Sequence, residues 1–153
     1  MKPLVCLATF VAVAMLCATS GLFREPQAAA GRLDRVSVTR IFTGPDGFTH
    51  AEPVEVKFSP GTIPKTWQSS PEKMASAYFV NAQPGFVEDW HNASAHRYVF
   101  TLSGHAEIEL TGGQKIPIDH DKVLLADDLA GKGHITRVVG NEPWIAVFVQ
   151  FKE

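Results

Sequence analysis

The sequence predicts an all-β protein, and three observations carry that expectation. Apolar and polar residues alternate with period two in one run after another, as in Val36-Ser37-Val38-Thr39-Arg40-Ile41-Phe42, the pattern of a strand with one buried face. Turn residues separate these runs at intervals of roughly ten, the rhythm of an antiparallel sandwich or barrel. No stretch of length shows a helical period with caps.

Taken in order, Val36 to Phe42 ends at Gly44-Pro45-Asp46-Gly47, and Val54 to Phe58 ends at Pro60-Gly61. A looser stretch with Pro64, Trp67 and Pro71 follows, and Gln68 to Ala75 has room for one turn of helix. Met74 to Val80 and Phe86 to Trp90 are the next strands, the second opened by Pro84-Gly85. Tyr98 to Leu102 runs into Ser103-Gly104. Ala106 to Leu110 and Lys115 to Ile118 flank Gly112-Gly113, a hairpin signal. Val123 to Ala126, Ile135 to Val139 and Trp144 to Phe151 complete the set.

The chain has 153 residues, with 14 Lys+Arg against 16 Asp+Glu for a net charge of −2. That length suits one domain with its own core. Hydrophobic residues at 45% and charged residues at 20% exclude a disordered chain. With no Lys/Arg block there is no surface to track phosphates, so nucleic acid is not an expected partner. Coiled coils and repeat arrays are excluded by the lack of a heptad or longer period.

Behind Lys2, the segment Leu4 to Ala18 is almost wholly apolar, and Ala18, Thr19, Ser20 and Gly21 follow it. A basic start, a short apolar run and a small-residue exit describe a signal peptide, 1–20, cut after Ser20 or as late as Ala30. The alternative is an uncleaved anchor, although the apolar run falls short of the ~20 residues of a span. A lipoprotein is disfavoured by Leu16 before Cys17. A polar leader, 21–35, and a folded domain, 36–153, complete the expected organisation. The expected location is periplasmic or secreted, with no stable membrane span after cleavage. Cys6 and Cys17 both lie in the first segment, so the mature chain has no thiol for disulfides, nucleophilic catalysis or Cys-ligated metal.

Two segments carry a family resemblance. Asp89-Trp90-His91-Asn92-Ala93-Ser94-Ala95-His96-Arg97-Tyr98, continuing to Gly104, resembles the first motif of the small single-domain cupins. Val123-Leu124-Leu125-Ala126-Asp127-Asp128-Leu129-Ala130-Gly131-Lys132-Gly133-His134 resembles the second, in a bacterial group that pairs Trp-His with Gly-Lys-Gly-His. The resemblance runs from about Val36 to Phe151. It implies a double-stranded β-helix, the cupin jelly-roll barrel, with a ligand pocket in its mouth and a homodimer as the expected assembly. Cupins include metal-dependent dioxygenases, isomerases, decarboxylases and lyases, metal-free sugar epimerases, and storage or sensor proteins, so function has to come from the site.

The resemblance implies a metal set of two His one residue apart, a Glu seven before the closing Gly, and a His in the second motif. Anchored on Gly104, these positions hold His91, Ala93, Arg97 and His134. A guanidinium thus stands where a carboxylate is expected, and as a permanent cation it opposes a divalent ion. If Fe, Mn, Ni or Zn is bound, its ligands are His91 and His134, with His96 as the third candidate. The strand parity of His96 matches Tyr98 and Phe100, not Arg97 and Val99, and argues that it points elsewhere. Glu88, Asp89, His105 and His120 have no spacing in their favour, and His50, His105 and His120 are expected at the surface.

His91, His134 and Arg97 are the candidate catalytic residues; Trp90, Lys132 and Arg97 are the candidate ligand contacts. Arg97 either pairs with Glu88 or Asp89 or clamps a carboxylate or phosphate on a small molecule. Gly131 and Gly133 are expected to let the backbone approach a ligand closely. Two functions stay open. One is an exported small-molecule enzyme of dioxygenase, isomerase or lyase type, with a metal or with a His base and Arg97. The other is a metal-free binding or sensing module in which Arg97 contacts an anion. A single pocket holding His91, Arg97 and His134 would favour catalysis.

Overall fold

The computed structural model describes residues 35–152. The expected signal peptide, 1–20, lies outside them, as does the leader, 21–35, apart from Arg35, which opens the first strand. Twelve strands and no helix make up the described residues. They are β1 (Arg35–Thr43), β2 (Thr49–Lys57), β3 (Ser59–Pro60), β4 (Trp67–Gln68), β5 (Met74–Ala82) and β6 (Val87–His91). β7 (Arg97–Ser103), β8 (His105–Glu109), β9 (Lys115–Pro117), β10 (Val123–Asp127), β11 (His134–Val139) and β12 (Trp144–Phe151) follow.

A six-stranded sheet runs β2-β1-β10-β7-β12-β5, a four-stranded sheet runs β6-β11-β8-β9, and β3 pairs with β4. The β1–β10 pair is parallel and the others are antiparallel. The two larger sheets face each other as a jelly-roll sandwich. Alternation decides which residues meet between them: β8 buries Ala106 and Ile108, β11 buries Thr136 and Val138, and β12 buries Trp144 and Ala146. Each fully buried Ile or Leu of this core contributes about 1.5–3 kcal/mol of transfer free energy. The Gly112-Gly113 hairpin forms as expected, with Glu109 opposite Lys115.

Two local expectations change. Gln68 to Ala75 holds no helical turn; Gln68 ends β4, and Met74 already pairs with Phe151 of β12. Pro71 supplies no N–H for such a turn, and pairing along β12 satisfies the backbone from residue 74 onward. The strand expected to start at Ile135 begins instead at His134, and the strand expected to end at Trp90 runs to His91. That extension puts His91 and His134 opposite each other in the β6–β11 ladder.

Candidate functional site

Between the sheets lies a cavity of about 280 Å³. The six-stranded sheet presents Arg97 and Val99 to it from β7, and Ala126 and Leu124 from β10, their ladder partners. Parity along β7 sends Tyr98 and Phe100 to the opposite face, where Phe100 is exposed. Tyr78 and Val80 of β5 reach the same cavity, beside Phe148 of β12.

The four-stranded sheet supplies the imidazoles. Opposite Ile135, β6 carries two residues, Asp89 and Trp90, where regular pairing allows one; the register passes from His134↔His91 to Thr136↔Glu88. This is a β-bulge. Glu88 and His91 are three apart and would lie on opposite faces of a regular strand, yet the bulge turns both into the cavity. The bulge is held by Asp89, whose carboxylate accepts from the Trp90 N–H at 2.9 Å and whose carbonyl lies 2.8 Å from His91 Nδ1.

His91 and His134 stand side by side, ring centroids 4.3 Å apart. Each ring commits its Nδ1 to a hydrogen bond of its own. A carbonyl only accepts, so His91 Nδ1 donates to Asp89. Its Nε2 lies 3.3 Å from a Glu88 carboxylate oxygen, a contact that attracts only when Nε2 also carries a proton. His134 Nδ1 donates to Asp128 Oδ2 at 2.6 Å, with the imidazole 5% exposed and the carboxylate fully buried. Thr49 Oγ1 donates to the same oxygen at 3.1 Å. His134 Nε2 has no partner among the described residues and is the ring nitrogen available to the cavity.

Asp128 is the residue that sequence reasoning missed. It follows β10, and Asp127 just before it faces outward to the Arg40 guanidinium. A signal existed, because Asp128 shares the parity of the inward Leu124 and Ala126. Glu88 had no such signal, since only the bulge aims it inward.

Opposite the imidazoles, Arg97 Nη1 donates to Tyr78 Oη at 3.2 Å and to Ser94 Oγ at 3.3 Å, and its guanidinium lies 4.8 Å from the Phe148 ring centroid. The expected pairing with Glu88 or Asp89 is absent: Arg97 has no carboxylate partner among the described residues, and its buried Nε has no hydrogen bond. The cavity therefore holds a guanidinium with unspent charge and donors facing two imidazoles.

Other candidates lie apart. His96 does not line the cavity; its ring packs on Phe151, centroids 4.4 Å apart, and its Nε2 is 3.9 Å from Asp127 Oδ1, the outward placement its parity implies. Trp90 and Lys132 are not in the cavity wall either. The bulge turns Trp90 outward, where Lys132 Nζ sits 4.8 Å from the centroid of its indole, so the two expected ligand contacts meet each other. Gly131 and Gly133 also serve the protein and not a ligand. A Cβ on Gly133, whose φ is 74°, would lie 2.1 Å from the His91 carbonyl oxygen, and one on Gly131 would lie 2.4 Å from that of Gly47. His50, His105 and His120 are exposed.

The ligand set that the resemblance implies for a divalent metal is incomplete. His96 is displaced, Ala93 has no donor, and Arg97 brings a permanent cation to the cavity. Among the described residues no three His, Cys, Asp or Glu side chains form a metal-holding group.

No protein-family model matches the chain, and none of the curated proteins matches it in sequence. Among solved structures it is similar to the protein NMB1881 from Neisseria meningitidis, at 14% identity and a TM-score of 0.40, over 60% of this chain and 90% of that one. It is also similar to a dTDP sugar isomerase from Desulfovibrio desulfuricans G20, at 15% identity and a TM-score of 0.39, over 74% of this chain and 73% of that one. Likenesses of this size say nothing of function; the cupin-like fold rests on the strand order described above.

Proposed function

We propose that this domain transfers protons on a small anionic molecule, as an isomerase or lyase of the small single-domain cupin group with the Trp-His and Gly-Lys-Gly-His motifs. The observation that supports it most is the buried Asp128–His134 pair facing an Arg97 that no carboxylate among the described residues neutralises. Asp128 fixes the His134 tautomer and stabilises the imidazolium that forms when Nε2 takes a proton. Arg97 holds the anionic group from the opposite sheet. His91 Nε2, when it carries a proton, donates to the oxygen on which charge develops as a C–H bond next to a carbonyl breaks. Adjacent imidazoles with opposite proton tasks are the arrangement that general acid–base catalysis needs. Export by the 1–20 signal peptide would place this chemistry in the periplasm or outside the cell.

Deuterium incorporation from D₂O into a panel of 2-oxo acids, followed by proton NMR, tests the proposal. Exchange at the carbon beside the carbonyl, slowed about 10²–10⁴-fold by His134→Gln, is the expected result. Acids that bind without exchanging would leave the binding or sensing module as the reading.

A further inference from the structure

The two ends of the cavity differ in kind. At the open end stand the polar side chains: Glu88, whose side chain is 54% exposed, with Ser94, Arg97 and the 39%-exposed Tyr78. At the closed end the wall is Val99, Ile108, Ile118, Leu124 and Trp144, each 1–4% exposed. The one polar atom of that end, the indole N–H of Trp144, is spent on Thr101 Oγ1 at 2.9 Å, and that hydroxyl donates to the Ile118 carbonyl at 2.7 Å. Thr136 marks the boundary, beside His134 on the same face of β11. Apolar cavities of this sort stay dry and take apolar guests.

From this gradient we infer that the ligand is a monocarboxylate with an unbranched apolar tail, its carboxylate on Arg97 and its tail among Ile108, Ile118, Leu124 and Trp144. The inference rests on the reading of Arg97 as an anion clamp and adds what lies beyond the anion. One guanidinium flanked by two neutral hydroxyls matches a planar, singly charged carboxylate. The cavity's 280 Å³ is about twice the ~150 Å³ that encloses benzene, room for about ten non-hydrogen atoms, or an acid of about eight carbons. The reacting carbon then lies between head and tail, level with the imidazoles.

The test is calorimetric titration of the purified protein with straight-chain carboxylates from acetate to decanoate, with 1-alkanols of equal length as uncharged controls. Emission of Trp144 is recorded beside it in a Trp67→Phe/Trp90→Phe background. Affinity should rise about fourfold per methylene, the fold-change of ~0.8 kcal/mol, and level off near eight carbons. Long acids should shift Trp144 emission and acetate should not. Ile108→Phe, with Leu124→Phe as an independent variant, should move the preference to shorter acids. Affinity that is flat with length, with Arg97→Leu still weakening every acid, would overturn the tail and leave the anion clamp standing. Alkanols binding as well as acids at each length, unaffected by Arg97→Leu, would overturn the clamp and with it the assignment of a monocarboxylate. Length-dependent binding without deuterium exchange would support this inference while removing the proposed chemistry.

Discussion

The two sheets line one cavity with different chemistry. The four-stranded wall carries groups that exchange protons: His91 against Glu88 and His134 against Asp128. The six-stranded wall carries a fixed charge, Arg97, set among Tyr78, Phe148 and aliphatic side chains. The first wall is bulged at Asp89-Trp90, beside its imidazoles, whereas the second is regular where it carries Arg97 and shifts register only further along, between Ile145 and Ala146. The difference teaches that recognition of charge needs only an inward residue in an ordinary strand. Bringing Glu88 and His91 to one face of a single strand needs a departure from strand geometry.

If the walls divide the work, substitutions should separate rate from affinity. Asp128→Asn should cost most, about 10²–10⁴ in turnover with ligand affinity changed little, because the amide no longer enforces the working His134 tautomer; deuterium-exchange rates measured at saturating ligand check this. Arg97→Leu should do the reverse, weakening carboxylate binding by about 10–100-fold through loss of charged hydrogen bonds, read by titration. Loss of turnover at saturating ligand without loss of affinity in Arg97→Leu would break the division. Gly133→Ala should destabilise the domain by on the order of 2 kcal/mol, from a positive φ and contact with the His91 carbonyl. It should also push β6 from β11, seen as a lowered thermal midpoint together with changed His91 and His134 imidazole NMR shifts.

The smallest effect lies far from both walls. The His105 imidazole, 2.9 Å from Asp119, holds that carboxyl below its ordinary range, with Lys122 adding to it. A carboxyl depressed in the folded state contributes stability above its unfolded value, ~3.9, and loses it as pH falls through the folded one. For so exposed a pair this is under about 1 kcal/mol. His105→Ala should remove it at pH 6 and cost progressively less as the pH is lowered below the unfolded value, measured by urea midpoints.

Much of the fold was legible because alternation reports burial directly. β7 is the clearest case: Arg97 and Val99 inward, Tyr98 and Phe100 outward, and His96 with the outward set, as its parity implied. The same rule failed at β6. One extra residue reverses the parity beyond it, which hid Glu88 and turned Trp90 from an expected ligand contact into a platform for Lys132. Bulges leave no composition signal, since the Asp89 side chain that caps this one is equally at home in a turn. Asp128 was readable from Leu124 and Ala126, whose inward parity it shares, although no motif spacing marks it as motif spacing marks His134. The β3–β4 pair was unreadable for another reason: among Pro60, Pro64 and Pro71, two residues are too few to show a period.

β12 lies between β7 and β5, and it comes after every other described strand in the chain. A ribosome must therefore deliver residue 151 before the larger sheet can close. Until then β5 and β7 have no strand between them, and Trp144 and Phe148 are not in place. A stop codon or frameshift before this eight-residue strand would therefore take Trp144 and Phe148 from the cavity and leave β5 without its partner.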